Sequence, residues 1–187
     1  MKVAKTELPG VLLIEPDRFG DDRGFFQETW HARRYEDAGI RDEFVQDNIS
    51  LSRHGVLRGM HFQNPHGQAK LVYILQGEVF DVAVDVRAGS PDFGKWTGAT
   101  LSADNGRQLY IPAGFAHGFC VTGETALFAY KCTDFYDRES ELTIRWDDPQ
   151  IGVAWPISHP TISEKDAVAP FLSAMDRALL PHYEDGR

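Results

Sequence analysis

Residues 44 to 63, FVQDNISLSRHGVLRGMHFQ, place charged and amide side chains among apolar ones more densely than a plain core strand tolerates. In GMHFQ, His61 lies between Met60 and Phe62, so strand alternation puts Gly59, His61 and Gln63 on one face and the two apolar residues on the other. That first face is a candidate pocket floor. A lone histidine in a β-rich chain is more often a half-buried core residue than a catalyst, but Arg58, Lys70 and a second histidine, His117 in IPAGFAHGF, stand near it in the sequence. Histidine is the natural general base near neutrality, since its unperturbed pKa is about 6.5. Strict alternation sends Arg58 to the opposite face from His61; a bulge at Gly59 would reverse that, and glycine suits such positions.

The elements that must position these groups are mostly strands. VLLIE (11–15) reads as a short strand ended by Pro16, DRFGDDRG as a turn-rich loop, FFQETW as extended chain, and HARRYEDAG as a brief helix closed by Gly39. From residue 44 the pattern is β throughout. EVFDVAVDV alternates, with Phe80, Val82, Val84 and Val86 on one face and Asp81, Ala83 and Asp85 on the other. KLVYI, KWTGATLS, RQLYIP, HGFCVTG, TALFAYKC and ELTIRW are further strands, separated by turn signals such as QGE, RAGSPDFG and ADNG. In ALFAYKC, Tyr130 shares a face with Phe128 and Cys132, which suits a core aromatic with its hydroxyl at a rim. Helical periodicity returns in SEKDAVAPFLSAMDRALL, where Ser163 and Asp166 have the spacing of an N-terminal cap. The expectation is one domain, 1–187, with a helical tail over about 163–187.

Composition narrows the function classes. The chain is 42% hydrophobic and 12% aromatic, with no apolar run near the roughly 18 residues that span a bilayer. MKVAKTELPG lacks the apolar segment of a signal peptide, so a cytoplasmic location is expected and no membrane partner. The net charge of −9 argues against nucleic acid, which binds basic surfaces, but leaves room for a small anionic ligand held by a few cations. Cys120 and Cys132 fall inside strands and read as small buried hydrophobes rather than a disulfide.

Two motifs point to a fold. LYIPAGFAHGF contains PxGxxH, and GVLRGMHFQ has a glycine five residues ahead of His61; together they resemble the two motifs of the cupin-type jelly roll, a mainly β double-stranded helix. Metal-binding cupins carry HxH and a downstream Glu in the first motif, whereas here Gln63 replaces the second histidine. Two imidazoles are too few for a catalytic metal, so neither metal nor cofactor is expected.

The blocks FGDDRGFFQETW, FVQDNISLSRHGVLRGMHFQ, KLVYILQGEVFDVAVDVR, LYIPAGFAHGF, AYKCTDFY, IRWDDPQIGVAWP and ISEKD, in this order along nearly the whole chain, resemble the dTDP-4-dehydrorhamnose 3,5-epimerase family. The resemblance implies inversion of C3 and C5 of dTDP-4-dehydro-6-deoxy-D-glucose, giving dTDP-4-dehydro-L-rhamnose through enolates. By that resemblance His61 is the base, Asp166 the partner that orients it, Tyr130 the acid on the opposite face, and Lys70 the cation near the ketone oxygen. It further assigns Arg23, Glu28, Gln46, Asp47 and Asn48 to the nucleotide end, Arg58 and His117 to the diphosphate and sugar, and Glu141 and Lys165 to ligand contacts. The family's Arg23 and Glu28 strand reaches into a twin subunit, so a homodimer is expected. The competing readings are an epimerase of C3 or C5 alone, a non-catalytic nucleotide-sugar-binding cupin, and a metal cupin oxygenase.

Overall fold

The computed structural model describes residues 1–184. Its strands are β1 Lys2–Lys5, β2 Leu12–Glu15, β3 Arg18–Asp21, β4 Gly24–Gln27, β5 Gln46–Arg53, β6 Leu57–Gln63, β7 Lys70–Asp85, β8 Trp96–Ser102, β9 Gln108–Ile111, β10 Phe115–Cys132 and β11 Glu141–Thr143. Two α-helices, α1 Ala32–Asp37 and α2 Glu164–Ala167, complete it with two 3-10 turns near the end. Among the described residues no helix is long and apolar enough to cross a membrane.

The architecture hangs on β7 and β10, which pair antiparallel along nearly their whole lengths. Their register shifts midway, dividing the pair into two halves. One half, Lys70–Gly77 against Ala126–Cys132, is flanked by β9 and β5; the other, Val79–Asp85 against Phe115–Val121, is flanked by β8 and β6. β1 and β2 extend the first side and β11 the second. QGE and VTGET, expected to be turns between separate strands, are therefore the places where two long strands pass from one layer to the other. Gly77 is required there: its φ is +82°, and a Cβ would stand 1.7 Å from the carbonyl oxygen of Thr125.

The two layers enclose Val72, Val79, Ala83, Leu109, Phe119 and Phe128, all buried. Because the other face of each layer is also covered, EVFDVAVDV is buried on both sides. Val82, Val84 and Val86 pack outward against Ile144, Ile151 and Leu172, while Leu71 and Tyr110 of the other layer pack against Tyr35 and Ile40 around α1. Gly39 follows that helix at φ +97°.

Two regions depart from expectation. DRFGDDRG is a β-hairpin: Arg18–Asp21 pairs with Gly24–Gln27, and its side chains are too exposed to carry an apolar alternation. The C-terminal helix is a single turn, Glu164–Ala167. Pro170 disfavours helical backbone at Ala169 and offers no N–H, so the remaining helical periodicity is taken up by the 3-10 turns Leu172–Ala174 and Arg177–Leu179. The last three residues of the expected tail, 185–187, lie outside the described residues.

Candidate active site

Between the layers lies a cavity of about 450 Å³, lined by Arg58, His61, Lys70, His117, Tyr130 and Asp166 among others. A recess of about 260 Å³ shares His61, Lys70 and Tyr130 and adds Gln46, Asn48 and Glu141. Lys70 and Tyr130 come from the layer of β5 and β9, and His61 and His117 from the layer of β6 and β8. The two long strands thus bring groups 60 residues apart in sequence to one cavity.

A bulge in β6 is what puts Arg58 and His61 on the same side. His61 pairs with His117 and Arg58 with Phe119, so three steps along β6 match two along β10. Gly59, at φ +125°, backs onto Gly118: a Cβ on Gly59 would stand 2.6 Å from Gly118 Cα and 2.8 Å from the His117 carbonyl oxygen. Met60 and Phe62 enter the outer core, as alternation predicts. Arg58 Nε donates to Ser52 Oγ at 3.1 Å, which steadies the guanidinium at the cavity wall.

His61 is tethered by Asp166, with Nε2 2.7 Å from Oδ1. The carboxylate is almost fully buried, its side chain only 4% exposed. Burial alone would push its pKa up, but the hydrogen bond and charge of His61, with the Ser163 hydroxyl and Gly59 amide, together hold it below the usual carboxylate range. The capping reading of SEKD also holds, because Asp166 N–H donates to Ser163 Oγ at 3.1 Å. One residue closes the helix turn with its backbone and holds the imidazole with its side chain. With Nε2–H donated to Asp166, Nδ1 is left as the basic nitrogen.

Tyr130 is packed edge-on to Phe128. Burial, reinforced by Cys132 and Glu141 and opposed by Arg58, pushes its pKa up and keeps the phenol protonated. Lys70 experiences the reverse. Burial draws its pKa below that of a free lysine, partly offset by Cys132, Asp81 and Glu141. Glu141 is bridged to Lys165 at 2.6 Å and accepts from the Tyr136 hydroxyl at 3.1 Å; burial opposes its ionisation, but these partners outweigh it and lower the pKa. His117 Nε2 meets both oxygens of Asp81, at 3.0 and 2.9 Å. Among the described residues no three His, Cys, Asp or Glu side chains converge as metal ligands.

Other expected residues are divided by strand register. Gln46 and Asn48 alternate onto the inner face opposite Cys132 and Tyr130, where Gln46 Nε2 donates to Asn48 Oδ1 at 3.1 Å. Asp47, between them, points away and pairs with Lys131 at 2.9 Å. Arg23 and Glu28 are not brought to this cavity within one chain. Arg23 sits at the hairpin tip, its side chain 90% exposed and paired with Asp21, while Glu28 pairs with Arg34. Asp81, buried behind His117, was not among the expected site residues, although an acid amid the apolar residues of EVFDVAVDV was a signal for it.

A model of the dTDP-4-dehydrorhamnose 3,5-epimerase family matches residues 5–174. The dTDP-4-dehydrorhamnose 3,5-epimerase of Shigella flexneri is 55% identical over 168 residues, 89% of this chain and 93% of that protein. A dTDP-4-dehydrorhamnose 3-epimerase of Streptomyces niveus is 38% identical, over 98% of this chain and 90% of its own. The crystal structure of the dTDP-6-deoxy-D-glucose-3,5-epimerase of Legionella pneumophila, in complex with dTDP-4-keto-L-rhamnose, superposes with a TM-score of 0.96 at 52% identity, covering 98% of each chain. The cavity between two strand layers, lined by a carboxylate-held histidine and a buried tyrosine, thus belongs to a chain of the dTDP-4-dehydrorhamnose 3,5-epimerase family.

Proposed function

We propose that this chain is an isomerase that inverts C3 and C5 of dTDP-4-dehydro-6-deoxy-D-glucose, giving dTDP-4-dehydro-L-rhamnose, with its own side chains and no cofactor. The observation that carries the reading is the His61–Asp166 pair sharing one cavity with Tyr130 and Lys70. The C4 ketone acidifies the C–H bonds at both neighbouring carbons. His61 Nδ1 takes the proton, and Asp166 stabilises the imidazolium that forms. The electron pair moves to the ketone oxygen, where the Lys70 ammonium balances the enolate charge. Tyr130 returns a proton to the opposite face of the same carbon. Exchange with solvent then restores both groups, and the sequence repeats at the second carbon. The higher identity to the 3,5-epimerase than to the 3-epimerase favours two inversions over one.

Pairing of two copies is part of this reading. The β3–β4 hairpin exposes Phe19, Phe25 and Phe26, and the edge strand β5 exposes Ile49 and Leu51, each more than 60% exposed. A second copy would cover such apolar surface. It would also bring Arg23 and Glu28 to the nucleotide end of the partner's cavity, where Gln46 and Asn48 wait. In this reading Arg58 and His117 take the diphosphate and sugar, with Lys165 and Glu141 as further ligand contacts; all four line the cavity or its recess, which supports the assignment.

The deciding experiment is turnover of the dTDP-ketosugar in deuterated water. Deuterium at two carbons, both inverted, supports the proposal. Exchange and inversion at one carbon replaces it with single epimerisation. Absence of any exchange by the wild-type protein, with dTDP binding intact, leaves a sugar-nucleotide-binding protein.

A further inference from the structure

The reaction above leaves Gln63 unused, although it stands where a metal-binding cupin carries its second histidine. Its side chain lines the recess and is only 5% exposed. A buried amide is retained where both of its ends find partners. Here every partner is backbone. Nε2 donates to the carbonyl oxygens of His66 at 2.8 Å and Phe135 at 3.3 Å, and Oε1 accepts from the N–H of Asp137 at 3.1 Å. Two carbonyls at one end and an N–H at the other fix which end of the amide is which.

These partners belong to two loops: NPHGQ, 64–68, between β6 and β7, and TDFYD, 133–137, between β10 and β11. The loops also bond to each other. Gln68 Nε2 donates to the Asp134 carbonyl at 2.8 Å, and the N–H next to it in the chain, that of Ala69, to Thr133 Oγ1 at 2.9 Å. Residues 133–137 have no regular secondary structure, so their shape rests on such bonds. Phe135 and Asp137, the two residues that Gln63 holds, stand on either side of Tyr136. The N–H of Tyr136 itself donates to Gln46 Oε1 at 3.0 Å.

Tyr136 is what this clamp sets in place. It lines the recess, which shares His61, Lys70 and Tyr130 with the catalytic cavity, and its hydroxyl donates to Glu141 at 3.1 Å. The residue is 55% exposed, so its ring is not filling a core. An aromatic ring with an open face suits the apolar C–H face of a pyranose.

We propose that Gln63 is a positioning residue for the sugar end of the substrate: it pins TDFYD so that the Tyr136 ring forms a fixed wall of the recess, against which the ketosugar is seated between His61 and Tyr130. The proposal rests on the placing of the sugar beside His61, Lys70 and Tyr130 given above.

The test compares calorimetric affinities for dTDP and for dTDP-glucose, which has no ketone and does not react. Gln63→Met keeps the bulk and removes all three bonds. Affinity for dTDP should stay within about twofold, while that for dTDP-glucose falls about fivefold or more, because only the sugar meets the wall. Equal losses for the two ligands, as general loosening of the fold would give, or no loss for either, overturn the proposal. Tyr136→Ala should reproduce the dTDP-glucose loss, and adding Gln63→Met to it should cost no more than about a further twofold, since both changes remove the same wall. Losses that multiply overturn it. If Gln63→Met does not fold, hydrogen exchange of the wild-type protein decides: the amides of Tyr136 and Asp137 should exchange about 100-fold or more slower than in free chain, and exchange at the free rate overturns the clamp. These readouts need no turnover. A selective dTDP-glucose loss in Gln63→Met, from a wild type that washes no deuterium into the ketosugar, removes the catalytic reading and keeps this one. Double inversion by the wild type, with both affinities unchanged in Gln63→Met, sinks the Gln63 inference alone.

Discussion

Replacing Asp166 with Asn separates its catalytic from its structural work. The backbone N–H of residue 166 still reaches Ser163 Oγ, so the helix cap survives the change. What disappears is a 2.7 Å bond between a nearly buried carboxylate and His61 Nε2, needed most when the ring becomes cationic. A hydrogen bond to a charged group contributes about 1.5–3 kcal/mol. At about 1.4 kcal/mol per decade, kcat should fall roughly 10- to 150-fold. The loss grows if the Asn amide donates to Nε2, because that forces the proton onto Nδ1 and silences the base. The assay is deuterium wash-in to the ketosugar followed by NMR, alongside calorimetric dTDP affinity, which should change little. Thermal stability supplies a pH signature. Asp166 has a folded pKa depressed below its unfolded value, so its stabilisation is present above about pH 4 and is lost as pH falls through the folded value. The gap in Tm between wild type and Asp166→Asn should therefore narrow in acid. A kcat within twofold of wild type, or a loss mirrored equally in dTDP affinity, refutes the reasoning.

Tyr130→Phe removes the acid but leaves the base, so the variant should still wash deuterium into the substrate while product formation falls about 100-fold or more, read by NMR of exchange and of epimer. Inversion at the wild-type rate would place the acid elsewhere. Mixing Arg23→Ala with His61→Asn, each nearly inactive alone, should restore about a quarter of wild-type activity, because random two-fold pairing leaves one site in four with both residues intact. No recovery after verified subunit exchange contradicts a site shared between copies. Gly59→Ala should destabilise the fold by about 3 kcal/mol, combining a positive-φ penalty with a clash against the rigid backbone of Gly118. A denaturation midpoint equal to wild type would show that the bulge can relax.

Much of this molecule was legible one residue at a time. The alternation in EVFDVAVDV, Gly39 ending a short helix and the two faces of GMHFQ are local consequences of backbone geometry, and they appear as read. The epimerase-family motifs pointed to His61, Lys70, Tyr130 and Asp166, which the fold brings to one cavity. Other features were illegible because the local signal was ambiguous. Gly77 in QGE looks like a hairpin turn, and only its pairing partners reveal a strand crossing between layers. The hairpin in DRFGDDRG carries no buried face, so it left no apolar period to detect.

Most of the extended stretches, the apolar faces and the side chains able to move protons follow from neighbours within a few residues, and so could be read from the chain directly. Strand pairing settled the rest: β6 gains a residue at Gly59 and so turns Arg58 to the side of His61, Asp47 faces Lys131 rather than the cavity, and Asp81 lies behind His117. Those outcomes depend on strand register and on the close contact of Gly59 with Gly118, contacts between segments far apart in the chain that local propensity does not encode.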